Sequence, residues 1–228
     1  MKQTLLPTLI LSSLVVAACG KKTEQASPDA TLPAASTTEG ATTAPAADAP
    51  QADLSQAEAD RAQKQALMDY ATMEDNYIND PNAQWAATGK ASSTFGDDSG
   101  EPAQSNLASN IVGTVDGEIW TNNHQDVGMD WLEASFAKPV AAREVRVVFR
   151  DGAGVEAVSK VELQDAQGKW NTVWSGLSDV KRDERGNRTW FVRTFEKTAY
   201  PVNAVKITLA NNVQRGYKVV DAVQLVGE

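Results

Sequence analysis

The chain has 228 residues, a formal net charge of −9 and a single cysteine. That balance argues against a nucleic-acid or anionic-lipid footprint, and one cysteine rules out a disulfide within the chain. The acidity is uneven: residues 20–79 carry ten Asp/Glu against four Lys/Arg, and residues 80–228 carry twenty against sixteen.

Met1 and Lys2 lead into an apolar run from Leu5 to Val16 and the small pair Ala17-Ala18 before Cys19. A basic start, an apolar stretch too short to span a bilayer and small residues at its end predict an export signal over 1–18. Val16-Ala17-Ala18-Cys19-Gly20 resembles the bacterial lipobox, which implies cleavage before Cys19 and acylation of that cysteine. Several acyl chains would anchor it stably, since each buried CH₂ contributes about 0.8 kcal/mol. Gly20, where sorting signals place Asp, implies the outer membrane of a Gram-negative envelope. From Lys21 to Ala52 the Ala, Thr, Pro and acidic residues offer almost no apolar surface. Such a segment cannot offset its ordering entropy and is expected to be a disordered tether.

A helix is expected over 53–80, because Ser55-Gln56-Ala57-Glu58 has the capping-box pattern and good helix formers follow. Ala66, Tyr70, Met73 and Tyr77 share one face, which should dock on the rest of the fold. Asn79-Asp80-Pro81-Asn82 should end the helix. Beyond Trp85 the period becomes twofold. Strands are expected at 130–136, closed by Lys138-Pro139, and at 143–150, with Val145, Val147 and Phe149 on one side and Arg146, Val148 and Arg150 on the other. Further strands fall at 158–164, 169–174, 189–195, 204–209 and 219–226, with a hairpin at Asp165-Ala166-Gln167-Gly168 and with Val205, Ile207 and Leu209 inward. With one or two more over 84–95 there are about eight, and no helix lies between them. The fold class is therefore all-β, an antiparallel sandwich or jelly roll over 81–228 preceded by one amphipathic helix.

The order of motifs resembles the discoidin, or galactose-binding-like, superfamily. It is carried by Ala87-Thr88-Gly89-Lys90-Ala91-Ser92-Ser93, Val115-Asp116-Gly117 with Trp120 behind it, Trp131-Leu132-Glu133-Ala134-Ser135-Phe136, the Leu163 to Trp170 hairpin and Val220-Asp221-Ala222-Val223 near the end. The resemblance implies a jelly roll whose ligands meet loops at one end, and a structural calcium ion near Asp116 and Asp221. Ile119 departs from that pattern, since relatives often place Thr there and its side chain supplies no oxygen. Calcium wants six to eight oxygens, so backbone carbonyls would have to contribute. The residues leave a second reading open, in which Asp116 only caps its own Asp-Gly turn.

Catalysis has little to stand on. His124 is the only histidine and no Gly-x-Ser-x-Gly turn presents a serine beside it. Asp97-Asp98 and Asp183-Glu184 are sequence neighbours, which tend to point apart. The binding candidates are loop residues: Asn122 and His124 in 117–129, and Asn211, Arg215 and Tyr217 in 210–217, with Phe95, Asp97, Asp98 and Asn106 in 94–110. The tryptophans are expected to serve packing more than stacking on a ligand. These features predict a non-catalytic module held to the envelope by lipid, with a glycan as partner, or an interaction lipoprotein using the same sandwich against an envelope protein.

Overall fold

The computed structural model describes residues 49–100 and 103–228, with side chains from Leu54 onward. The expected signal, Cys19 and the tether up to residue 48 lie outside the described residues. Helix α1 spans Ala49–Ile78, so it starts ahead of the expected boundary and runs straight through Ser55. Pro50 is tolerated in the first turn, where its missing N–H has no partner to lose. The end is as expected: the Asn79 N–H donates to Asp75 O at 3.0 Å, and Asp80 Oδ1 accepts the Asn82 N–H at 2.9 Å. No described helix is long and apolar enough to cross a membrane.

Nine strands follow among the described residues: β1 Ala83–Trp85, β2 Thr88–Ala91, β3 Trp120–Thr121, β4 Met129–Arg150, β5 Val158–Asp165, β6 Trp170–Ser175, β7 Arg188–Thr194, β8 Pro201–Ala210 and β9 Val219–Gly227. Every pairing is antiparallel. One layer runs β2, β4, β8, β5, β6. The other has β9 between β4 and the short strands β1 and β3, with β7 on the far side of β4.

Strand β4 belongs to both layers. Residues 129–135 pair with β8 and residues 142–149 with β9, with a register shift between Ser135 and Val140. Instead of closing a strand, Lys138-Pro139 turns the corner between layers, where proline's missing N–H breaks no ladder.

The core lies between the layers, and the expected inward sets Val145/Val147/Phe149 and Val205/Ile207/Leu209 are all in it. Trp120 is fully buried there, and its Nε1 donates to Ser93 O at 3.0 Å. On the outer face of the β9–β4–β7 layer, Val148, Trp190 and Ala222 form a second cluster roofed by Met73, Tyr77 and Ile78 of α1. The helix face expected to dock does so, through Tyr70, Met73 and Tyr77. Tyr70 is buried, its hydroxyl within hydrogen-bond reach of two acceptors, Arg188 O at 2.8 Å and Glu74 Oε1 at 2.9 Å, which share its one proton. Gly186 is required beneath it, since a Cβ there would stand 2.4 Å from the Tyr70 ring.

Arg146 is buried under the same helix. It pairs with Asp80 at 2.8 Å and with Glu144, donates to Gln224 Oε1 at 3.0 Å, and lies 4.3 Å from the centre of the Tyr77 ring. In the charged segment 179–188, Asp179 pairs with Arg193, Asp183 with Arg185, and Arg185 lies over the Tyr70 ring.

Among the described residues no helix covers the outer face of the other layer. There Lys206 Nζ sits 4.0 Å from the Trp170 ring centre and 5.2 Å from that of Trp131. Trp131 is thus half-buried on a sheet surface, outside the core.

Helix α1 has a definite direction across its layer. Tyr77 lies beside Gln224 and Arg146, while Tyr70 lies beside Arg188, where β7 begins. That is the end at which β4 finishes and β9 starts, since Arg150 pairs with Arg188 and Phe149 with Val220. The side chains from Leu54 to Gln65 are all exposed. These twelve residues form an exposed overhang of α1, about 18 Å long at 1.5 Å per residue.

Candidate functional site

The loops 92–97, 121–128 and 211–218 meet at the pole where β9 starts. The Phe95 N–H donates to Thr121 O at 2.8 Å and the Gly96 N–H to Asn123 Oδ1 at 3.1 Å. The Gly216 N–H donates to Asp126 Oδ1 at 2.8 Å and the Asn211 N–H to Gly128 O at 3.0 Å. The two loops expected to share one end of the sandwich are indeed neighbours.

What faces solvent there differs from the expected set. Phe95 and Tyr217 meet edge to face with centroids 5.1 Å apart, and Phe95 is 38% exposed. His124 is exposed in loop 121–128 and Arg215 in loop 211–218. Asn122 and Asn211, by contrast, are fully buried and their amides are spent inside the protein. Both donate to Asp130 Oδ2 at 2.9 Å, and Asn122 Oδ1 accepts the Lys218 N–H at 2.7 Å. These two asparagines hold the loops from beneath and present nothing to a ligand.

Asp130 is the centre of that layer. Ser92 and Ser93 hydroxyls donate to its Oδ1 at 2.6 and 2.8 Å, and His124 Nδ1 lies 3.5 Å away. Burial pushes this carboxyl upward, but the hydrogen bonds from Ser92, Asn122, Asn211 and Ser93 together outweigh it and hold the group below its ordinary value. Serine, histidine and aspartate thus share one site, yet in an order that activates no nucleophile. Both hydroxyls donate directly to the carboxylate, whereas hydroxyl activation needs the imidazole between them.

Lys218, which no sequence pattern singles out, is fully buried at the same place. Its Nζ donates to Gln125 O, to Gly216 O and, at 3.1 Å, to Asn211 O. Burial pulls its ammonium below its ordinary value, and the charges of Asp126 and Asp130 oppose that. Under the Phe95 loop, two buried polar atoms, Thr121 Oγ1 and Asn123 Nδ2, have no partner among the described residues.

A cavity of about 460 Å³ opens near this pole, with Gln104, Asn106, Glu118, Ile119 and Arg150 among its lining residues. The Arg150 guanidinium donates to Gly117 O at 3.3 Å.

Asp116 and Asp221 do not fit a calcium ion. Backbone N–H groups of Asp116 and Gly117 point at Asp221 Oδ1, at 3.3 and 3.4 Å, and the Arg188 guanidinium lies 3.4 Å from its Oδ2. Donors stand where a cation would have to stand. Asp116 Oδ1 accepts the Glu118 N–H at 2.9 Å, which is the turn-capping reading. No group of three or more His, Cys, Asp or Glu able to hold a metal occurs among the described residues.

No protein-family model matches the chain, and no curated protein does. Among solved structures it is similar to chitosan-binding module 1 of a chitosanase/glucanase from Paenibacillus sp. IK-5, with 13% identity over 62% of this chain and 96% of that one, at a TM-score of 0.48. It is also similar to the CBM32-5 module of CpGH89 from Clostridium perfringens in complex with GalNAc-β-1,3-galactose, with 13% identity over 66% and 99% and a TM-score of 0.44. A third is the family 32 module of NanJ from C. perfringens in complex with galactose, with 17% identity over 63% and 98% and a TM-score of 0.42. Likenesses this distant carry no ligand or residue across to this chain.

Proposed function

We propose that this chain is a non-catalytic binding module, tethered to a bacterial outer membrane through Cys19, that takes a glycan at the loop pole. The observation that carries the reading is the partly exposed Phe95–Tyr217 pair, with Arg215 exposed in the loop of Tyr217 and His124 exposed in the neighbouring loop 121–128. A sugar ring offers C–H groups to an aromatic edge or face and hydroxyls to imidazole and guanidinium, and this pole supplies both kinds of partner. The buried layer of Asp130, Asn122, Asn211 and Lys218 keeps those loops in one arrangement, which lowers the ordering cost of binding.

The test is a glycan array probed with the chain from Ala49 onward, followed by titration of the strongest glycan. Tyr217→Ala and Arg215→Ala should each weaken binding by about 1 to 3 kcal/mol with the melting temperature unchanged. Undiminished affinity in both variants would move the site elsewhere.

A second reading has its own observation. Val127, Met129 and Val213 are exposed at 77%, 63% and 46% on the flank of the same pole, where Met129 pairs with Ala210. An apolar flank of this kind suits a protein partner in the envelope. Val127→Ser and Met129→Ser should leave glycan binding intact and abolish capture of such a partner. The anchor rests on the sequence around Cys19, and Cys19→Ala should release the protein from the membrane fraction.

A further inference from the structure

Lysine normally runs its aliphatic stem along apolar surface and leaves its head in water. Lys218 does the reverse. Its Nζ points inward and donates to three backbone carbonyls: Gln125 O from one loop, Asn211 O and Gly216 O from the other. An ammonium has three donors and no acceptor, so these three carbonyls use it completely. Gly154 packs closely against the base of the stem, since a Cβ there would stand 2.9 Å from that of Lys218. Around the ammonium the polarity is ordered. Asn122 and Asn211 each donate a side-chain N–H to Asp130; Asn122 Oδ1 also accepts the Lys218 backbone N–H, and the Asn211 backbone carbonyl accepts from the ammonium. Asp130 thus holds the two asparagines, and Asn211 alone of the two meets the ammonium, through its main chain.

We infer that Lys218 is a positioning residue whose ammonium serves as a built-in cation, assembling loops 122–128 and 211–217 as a bound metal ion does in carbonyl-lined loops. Loop carbonyls have no ladder partners. Three of them converging in a buried place repel one another and cost free energy unless a multivalent donor sits between them. The chain supplies that donor covalently, in the place a bound cation would take. The same ammonium would set the arrangement of the pole proposed to take a glycan, but loop order can be read directly, whether or not a glycan binds.

The experiment is amide hydrogen exchange on the chain from Ala49 onward, comparing Asn211, Gly216 and Lys218 with Val147 and Leu225 in the core as controls. Lys218→Met keeps most of the stem and removes the charge. It should speed exchange of the three loop amides at least tenfold and leave the core amides unchanged. Lys218→Ala should behave alike, and propylammonium, which carries the missing three carbons and the ammonium, should restore protection. Tetramethylammonium, which has no N–H, should not. Wild-type loop exchange in Lys218→Met would overturn the inference and make the stem's packing the operative feature. Should either variant fail to fold, refolding of Lys218→Ala by propylammonium alone supports the inference, and failure of that rescue overturns it.

Discussion

Arg146 and Lys218 are both buried cations, and they are satisfied in opposite ways. Arg146 lies on a sheet, where strand carbonyls are already bound to neighbours, so its main partners are side chains: Asp80, Glu144, Gln224 and the Tyr77 ring. Lys218 lies among loops whose carbonyls lack ladder partners, and three of those suffice without a direct carboxylate. The helix-covered face is therefore held by charge pairing across elements, and the loop pole by converging backbone dipoles. The first kind of contact fastens a packed layer. The second sets the shape of a surface.

The two regions should fail differently. The largest effect is expected from a chain beginning at Asp80, which loses Tyr70, Met73, Tyr77 and Ile78 from above Trp190. It should be less stable by roughly 5 kcal/mol, from about 1.5 to 3 kcal/mol per large apolar side chain less the entropy regained. A chain beginning at Ala66 should match the longer one in urea titration, because the side chains of residues 54–65 are all exposed. Equal stability of all three would mean that α1 is ornamental.

Next, Arg146→Met should cost about 3 to 5 kcal/mol, since it strands Asp80 and Glu144 without their counter-charge. Adding Asp80→Asn and Glu144→Gln should recover part of that. If the triple variant is no better than the single one, charge pairing is not what fastens the helix.

Smaller effects separate the regions by pH. Burial, then the hydrogen bond to Glu74, raises the Tyr70 hydroxyl far above its ordinary value of 10.0. The folded state holds that proton more tightly, so the stability it confers is present below pH 10 and is lost as pH rises above it. Tyr70→Phe should cost about 1 kcal/mol and remove this alkaline weakening, seen as loss of near-ultraviolet circular dichroism. Asp130 has the opposite sign. Held below its ordinary value of 3.8, it stabilises the loops above that pH and ceases to as pH falls through its folded value. Hydrogen exchange in 122–128 should quicken as pH falls below the ordinary carboxylate value, and Asp80, held low in part by Arg146, adds an acid weakening of the helix face that Tyr70 does not share. The smallest effect is expected from Arg215→Ala and Tyr217→Ala, within about 0.5 kcal/mol in stability, which leaves them clean probes of binding.

Much of the frame is legible in the sequence because burial on one side of a strand writes itself as alternation. Val145, Val147 and Phe149, or Val205, Ile207 and Leu209, can be assigned from spacing alone, and Tyr70 and Tyr77 likewise from helical period. The loop pole is legible only as a location. Asn122 and Asn211 sit among polar neighbours and read as surface, yet they are buried by Asp130, which β4 places beneath them at 8 and 81 residues' separation in sequence. No local pattern encodes such a meeting. Lys218 gives no signal either, since a lysine ahead of Val219-Val220 looks like any strand entrance. Trp131 shows the converse: alternation over 130–136 does not say which face its ring takes, and it lies half-buried on the outer face with the Lys206 ammonium 5.2 Å from its ring centre.

The overhang of α1 has a mechanical meaning. Whatever pulls on the chain ahead of Ala49 pulls along the axis of a helix whose docked turns lie side by side with the sheet. Tension in that direction loads the Tyr70, Met73 and Tyr77 contacts and the Asp80–Arg146 pair in shear, all together, instead of peeling them off one after another. A pull along that axis would therefore meet the module in the geometry in which these contacts resist together.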